Sequence, residues 1–333
     1  MSLDIKTSVY KPNRQTYANV AARLGEDRPA SRYEEATFDL QQTENFHYRP
    51  TWDPERELFD TRRTAVKMAD WYAFRDPRQF YYGTYTIARN RLMDACETNF
   101  AFVQKKGLLS TIEQPWLDKV QKFLMPLRHY EWGANMNNIN ISHVGYGTAV
   151  TQCAAFAAMD RLGIAQIISR IGLALDGSTG ERLKPTREDW TQDKLWQGLR
   201  HVMEDSFVLD DWFEQLVAQN VVMDGFVYPL TYDHFDDEGL KYGATALSML
   251  TEFMSDWYAD HLRWTDALVK AAAAESEDNT ALLEGWLAQW AGRVREAVGP
   301  LAAFVLGDAG SEAVAAVEQG LADRLKKIGL SLA

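Results

Sequence analysis

Beyond Pro54 the apolar residues of this chain recur three and four positions apart over runs of up to about 30 residues, with few strand-like alternations between them. This period limits the fold more than any other feature, because each helix it implies must bury one face against another helix. Helices are predicted over 55–75, 78–108, 115–144, 147–175, 187–204, 208–232, 237–270, 278–306 and 309–330. Such lengths exceed the globular mean of about 11 to 12 residues, and long helices without strands form bundles. Pro115 suits a first helical turn, whereas Pro126 lies inside the same pattern and should bend it by removing a hydrogen bond. The polar stretch 176–185 is the clearest break. The last helix carries Val314, Val317, Leu321, Leu325 and Ile328 on one face, which should pack on the bundle. Its basic end, Arg324, Lys326 and Lys327, suits the negative pole of the helix dipole.

Residues 1–54 read differently. No helical period persists there, and Pro12, Pro29, Pro50 and Pro54 punctuate a segment rich in aromatic residues. Disordered tails are poor in aromatics, so this extended arm should lie against a surface. Tyr10, Tyr17, Phe38, Phe46, Tyr48 and Trp52 are its candidate interface residues. The chain thus divides into an arm (1–54), a helical bundle (55–270) and C-terminal accessory helices (271–333).

Charge and cysteine usage exclude several functions. A net charge of −12 with scattered basic residues repels nucleic acid. Asp160, Arg161 and Arg170 interrupt the longest apolar run, between Val150 and Leu175, so no membrane span is expected. The start lacks an apolar signal region, which points to the cytoplasm. Cys96 and Cys153 both fall in apolar helical patterns and should be buried thiols.

Ferritin-like diiron bundles draw one Glu from each of two helices and a Glu-x-x-His pair from each of two others. Glu97, within RLMDACETNFAFV, and Glu131, in YEWGANMNN, have a spacing that suits antiparallel helices, as do Asp224 in VVMDGFVY and Asp256 in FMSDWYADH. Both Glu131-Trp-Gly-Ala134 and Asp256-Trp-Tyr-Ala259 place alanine where the imidazole belongs. Alanine offers no lone pair, so these positions read as the relic of a metal site, with no metal, cofactor or catalytic group in this chain. Arg89, Arg91, Arg128 and Arg263 lie on helices suited to pairing with the acids. Two weaker patterns are set aside: Glu44-x-x-His47, which falls in the arm, and the acids around His234, which read as a solvated helix start. From the residues alone, a structural subunit, a diiron or dimanganese oxidase with unforeseen ligands, and a free-standing binding protein for an apolar ligand or peptide remain open.

Residues 50–103, with DPRQFYYGTY at 76–85 as the most specific run, together with RHYEWGANMNN (128–138) and FMSDWYADHLRW (253–264), resemble the hydroxylase β subunit of bacterial multicomponent monooxygenases, phenol hydroxylase above all. The resemblance implies an all-α, ferritin-like chain that shares the fold of the catalytic α subunit but lacks its iron ligands. It implies partners too: α and γ subunits and a second β subunit in a hydroxylase of two α, two β and two γ chains. The diiron centre would lie in α, and a reductase with FAD and an iron–sulfur cluster would supply electrons from NADH. A small regulatory protein would complete the system.

Overall fold

The computed structural model describes residues 16–41 and 49–332, and every regular element among them is helical. Two short helices, α1 (Ala18–Leu24) and α2 (Arg32–Glu35), precede the long α3 (Tyr82–Lys106). Next come α4 (Gln114–Lys119), a π-helical turn at Val120–Leu124, α5 (Leu127–Val144) and α6 (Thr148–Leu175). The expected bend at Pro126 is this break. Proline cannot donate to the carbonyl of Lys122, and the indole Nε1 of Trp196 donates to that oxygen instead, at 3.0 Å.

The predicted helix 187–204 is two helices, α7 (Thr186–Gln192) and α8 (Lys194–Phe207), because Asp193 caps the second by accepting from the Leu195 N–H at 2.9 Å. Residues 212–240 form one wound run in which α9 (Trp212–Leu216), α10 (Asp224–Pro229) and α11 (Asp236–Leu240) are joined by π-helical segments at Val217–Met223 and Leu230–Phe235. Three helices complete the chain: α12 (Thr245–Glu275), α13 (Glu277–Leu306) and α14 (Gly310–Lys327). The main hydrophobic core runs from Val20 to Leu330, beside a small second cluster of Phe80, Tyr85 and Phe156.

The helix predicted over 55–75 does not form. Asp60 and Asp70 each accept from the N–H two residues on, Arg62 and Tyr72, and these local bonds divert the backbone into two 3-10 turns. The strap between the turns is tied to distant elements: its Ala65, Lys67 and Ala69 N–H groups donate to Asp211, Asn279 and Glu275 at 2.7, 3.1 and 3.0 Å.

The arm also differs from expectation. Its described part contains α1 and α2 and lies on the chain's own body, with Val20 and Phe38 wholly buried. Phe38, read as an interface residue, is core: Tyr33 and Tyr72 meet it edge-on at 6.3 and 6.0 Å between ring centroids. Tyr17 and Trp52 are exposed, whereas Tyr10, Phe46 and Tyr48 lie outside the described residues, as do Glu44 and His47. Gln41 clamps the α5–α6 turn by donating to Gly145 O at 3.1 Å and accepting from Gly147 N at 2.6 Å. That turn needs glycine at 147, where φ is +86° and a Cβ would come within 3.2 Å of Trp71.

At the other end, a Cβ on Gly310 would lie 2.7 Å from the Ala302 carbonyl carbon, so α13 and α14 meet backbone to backbone. The stretch 277–327 is, by length and composition, apolar enough to cross a bilayer, which the sequence reading had not noted. Its Leu283, Leu287, Trp290, Val294 and Leu301 lie in the core. Cys96 and Cys153 are free and buried, as expected.

Candidate functional site

The four acids read from the sequence as a former metal site do not converge. Glu131 and Asp224 are buried at 1% and 0% exposure, whereas Glu97 is exposed and forms a surface ion pair with Arg170, at 2.9 Å through Nη2. Asp256 and Ala259 are exposed as well, while Ala134 is buried. Helix rotation explains both corrections. Cys96 and Phe100 take the inner face of α3, and on α12 the inward positions belong to Trp257 and His261, so the residue beside each turns outward by about 100°. The two acid-Trp-x-Ala runs therefore face opposite ways: Trp132 is 56% exposed and Trp257 is fully buried.

Between Glu131 on α5 and Asp224 on α10 stands Arg161 of α6, with no exposure at all. Its Nη1 donates to Glu131 Oε2 and to the Tyr228 hydroxyl, each at 3.0 Å, and its Nη2 pairs with Asp224 Oδ2. The Tyr228 hydroxyl in turn donates to Glu131 Oε1 at 2.9 Å. Tyr130 and Gln219 donate to Asp224 Oδ1 at 2.7 and 3.1 Å. The guanidinium lies 4.5 Å from the Trp257 ring centroid, which adds a cation–π contact in a dry setting.

Burial sets the electrostatics of this cluster. It pushes the Glu131 carboxyl up to about 7, against the pull of Arg161. Burial disfavours the Arg161 charge too, but Asp224, Tyr228 and Glu131 outweigh it and hold the guanidinium well above its ordinary range. Both tyrosines are raised, first by burial and then by the neighbouring carboxylates. His261 is pushed well below its ordinary value by burial and by Arg161, so it is neutral. Its Nδ1 accepts from Trp264 Nε1 at 3.1 Å, which places the ring proton on Nε2. That nitrogen is 3.7 Å from Asp224 Oδ2, too far for a hydrogen bond.

Such a donor set does not fit a diiron centre. A cationic side chain fills the gap between the two buried carboxylates, Ala134 supplies no ligand, and His261 presents a proton rather than a lone pair. Among the described residues no three of His, Cys, Asp and Glu group as metal ligands, and this includes the acids around His234.

Of the arginines named from the sequence, Arg89 does pair with buried acid, but with Asp160 at 2.9 Å and with Asp260 at 3.0 Å. Asp160, raised by burial, also accepts from Tyr85 and from the indole of Trp257, each at 2.8 Å. Arg263 lies 3.8 Å from Asp260. None of Arg89, Arg91, Arg128 and Arg263 has an ion pair with Glu97, Glu131, Asp224 or Asp256 among the described residues. The partner the sequence reading missed had a visible signal: Asp160 and Arg161 are adjacent charges inside a long apolar helix, where charge is costly unless paired.

Beside the cluster runs a seam of buried amides. Asn138 and Asn220 exchange bonds of 3.1 and 3.0 Å, and Asn137 donates to Gln219 and accepts from Gln215, both at 2.8 Å.

Comparison with known proteins agrees with this architecture. The family model described as Methane/Phenol/Alkene Hydroxylase matches residues 52–276. An oxygenase component of phenol 2-monooxygenase from Pseudomonas sp. is 48% identical over 99% of this chain and 98% of its own length. The hydroxylase component subunit beta of the toluene-4-monooxygenase system from Ectopseudomonas mendocina is 26% identical over 68% of this chain and 70% of its own. The crystal structure of xenon-pressurized phenol hydroxylase from Pseudomonas sp. OX1 contains a chain that superposes with a TM-score of 0.91 at 45% identity, covering 98% of this chain and 99% of that one. Its fold, shared here, is a ferritin-like helical bundle. With the family model spanning most of the chain and a relative matched along nearly its whole length, this protein belongs to the methane/phenol/alkene hydroxylase family.

Proposed function

We propose that this chain is the noncatalytic, structural β subunit of the hydroxylase of an NADH-dependent diiron monooxygenase acting on phenol or related arenes. The observation that carries the reading is the Arg161 guanidinium between Glu131 and Asp224, which occupies with a fixed charge the interior where a bundle of this kind would hold metal. The end-to-end similarity to a phenol 2-monooxygenase oxygenase component favours phenol as the substrate class of the assembly. The role of a β chain is drawn from the more distant toluene-4-monooxygenase relative. In this reading the chain supports a cytoplasmic complex of two α, two β and two γ chains. Iron and substrate meet in α, and the reductase with its FAD and iron–sulfur cluster, together with the regulatory protein, acts on the assembled hydroxylase.

Co-purification from cells that express this chain with α and γ, followed by native mass and iron analysis, tests the proposal. The expected result is one copy of this chain per α, with iron that stays with α on dissociation. Iron retained by this chain after separation would refute it.

A further inference from the structure

We propose that the outer face of α5 and α6 is the surface on which this chain docks the α subunit, and that α meets it with an uncharged, apolar surface and a carboxylate set against Arg128. The inference rests on the subunit reading above, in which this chain supports α. On α5, Arg128, Trp132, Met136, Ile139 and His143 follow one another three or four positions apart, so they line a single stripe about 22 Å long. Its three middle side chains are large, apolar and about half exposed, and Met159 and Leu162 of α6 are exposed beside them. The register of the two helices joins these residues into one patch. Asn135 Nδ2 donates to Ala158 O at 2.7 Å, and Arg161 reaches Glu131 across the same antiparallel seam, which sets Met136 level with Met159 and Trp132 level with Leu162.

Composition separates this patch from the rest of the surface. No exposed position of α5 or α6 holds an acid, a lysine or an arginine, whereas on α3 the exposed Met93 and Phe102 are interleaved with Arg91, Asp94 and Glu97. A contiguous face of Trp, Met, Ile and Leu without charge has the make-up of an interface centre. Arg128 then indicates the occupant. It is half-buried at the end of the stripe, burial lowers its guanidinium, and among the described residues no carboxylate pairs with it. An arginine so placed is satisfied by an acid from the partner. A second copy does not supply one: the two-fold arrangement about Met136 that would pair the stripes brings Arg128 to His143, and two chains of net charge −12 repel each other. A different chain is required, and in the assembly proposed above the one that this chain supports is α.

The test uses the full-length chain, tagged and co-expressed with α and γ. Wild type, Met136→Glu and Arg128→Glu are compared by the amount of α that co-purifies per tagged chain, with helicity of the tagged chain alone as the measure of folding. Met136→benzoylphenylalanine reports by photo-cross-linking which chain lies over the patch. Met136→Glu is expected to lower co-purified α about tenfold or more and Arg128→Glu about fivefold, at unchanged helicity, and the cross-link from position 136 should join α. A cross-link to γ, to a second copy or within the chain itself would overturn the inference, as would undiminished α with Met136→Glu. In those cases wild type still brings down α, and the subunit reading stands. Absence of α from the wild-type preparation would overturn both.

Discussion

Glu131→Gln should remove a pH dependence of stability that the wild-type chain carries. Burial holds the Glu131 carboxyl at about 7 in the folded protein, against an ordinary 4.5. A carboxyl raised on folding binds its proton more tightly in the folded state. Its contribution to stability is therefore complete below about pH 4.5 and is lost as pH rises through about 7. A gap of about 2.5 pH units, at about 1.4 kcal/mol each, amounts to about 3.5 kcal/mol across that window.

Glutamine resembles the protonated acid and does not titrate, so the variant should lack this slope. It also supplies one acceptor where the carboxylate serves both Arg161 and Tyr228, which adds a constant cost of about 1 to 3 kcal/mol. The slope, not the offset, is the measure. Urea unfolding at pH 5, 6, 7 and 8, at one protein concentration and ionic strength, gives the wild-type-minus-variant difference at each pH. Other raised acids, Asp160 among them, titrate in both proteins and cancel. The difference should favour wild type most at pH 5 and shrink steadily toward pH 8. A difference constant within about 0.5 kcal/mol would refute the reasoning and mean that Glu131 is ionised throughout.

Three further outcomes are expected. Asn138→Ala leaves both polar ends of Asn220 unpaired in a dry seam, so chemical denaturation should show a loss of about 2 to 4 kcal/mol, and a loss below 1 would mean water enters there. Gly310→Val drives a side chain into the Ala302–Ala303 backbone and should lower Tm with a loss of about 1 to 3 kcal/mol, whereas the open Gly320→Ala should not. Glu97→Gln and Asp256→Asn, both on the outside, should leave the iron content and turnover of an assembled hydroxylase unchanged, the Arg170 pair of Glu97 contributing at most about 1 kcal/mol.

The helices of the body were legible because α3, α5, α6, α12 and α13 each repeat their apolar residues over many turns. Two kinds of region escaped that reading for identifiable reasons. Along 55–75 the apolar spacing suits a helix, but Asp60 and Asp70 bond their own backbone, and the strap's N–H groups find partners over 140 residues away. Along 212–240 the π-helical segments shift the face by roughly one residue each, so a fixed 3.6-residue template loses phase. The site divides the same way. Glu131 and Asp224 could be found because each interrupts an apolar run, but Glu97 and Asp256 interrupt similar runs and point outward. One position of helix rotation separates the cases, and spacing alone does not supply the rotation. Arg161 was visible as an anomaly, yet its partners lie on two other elements, and only the packing of α6 against α5 and α10 joins them.

Why the interior keeps this charge is a separate question from how it is tolerated. Replacing a buried ion pair with apolar side chains of similar volume is often neutral or stabilising, so Glu131, Arg161 and Asp224 are not explained by stability alone. Their geometry points to register. The π-helical segments give the 212–240 run more than one way to present its side chains to α5, and an apolar seam would accept several of them at similar energy. A seam in which Asn138 meets Asn220, Asn137 meets Gln215 and Gln219, and Arg161 meets Asp224 accepts one. A slip of a single residue would leave several buried amides unpaired and part Asp224 from Arg161 and Tyr130, at about 1 to 3 kcal/mol each. The polar interior therefore fixes the rotation and axial position of the wound run against α5. Under the structural role proposed above, that single arrangement matters more than the last increment of stability.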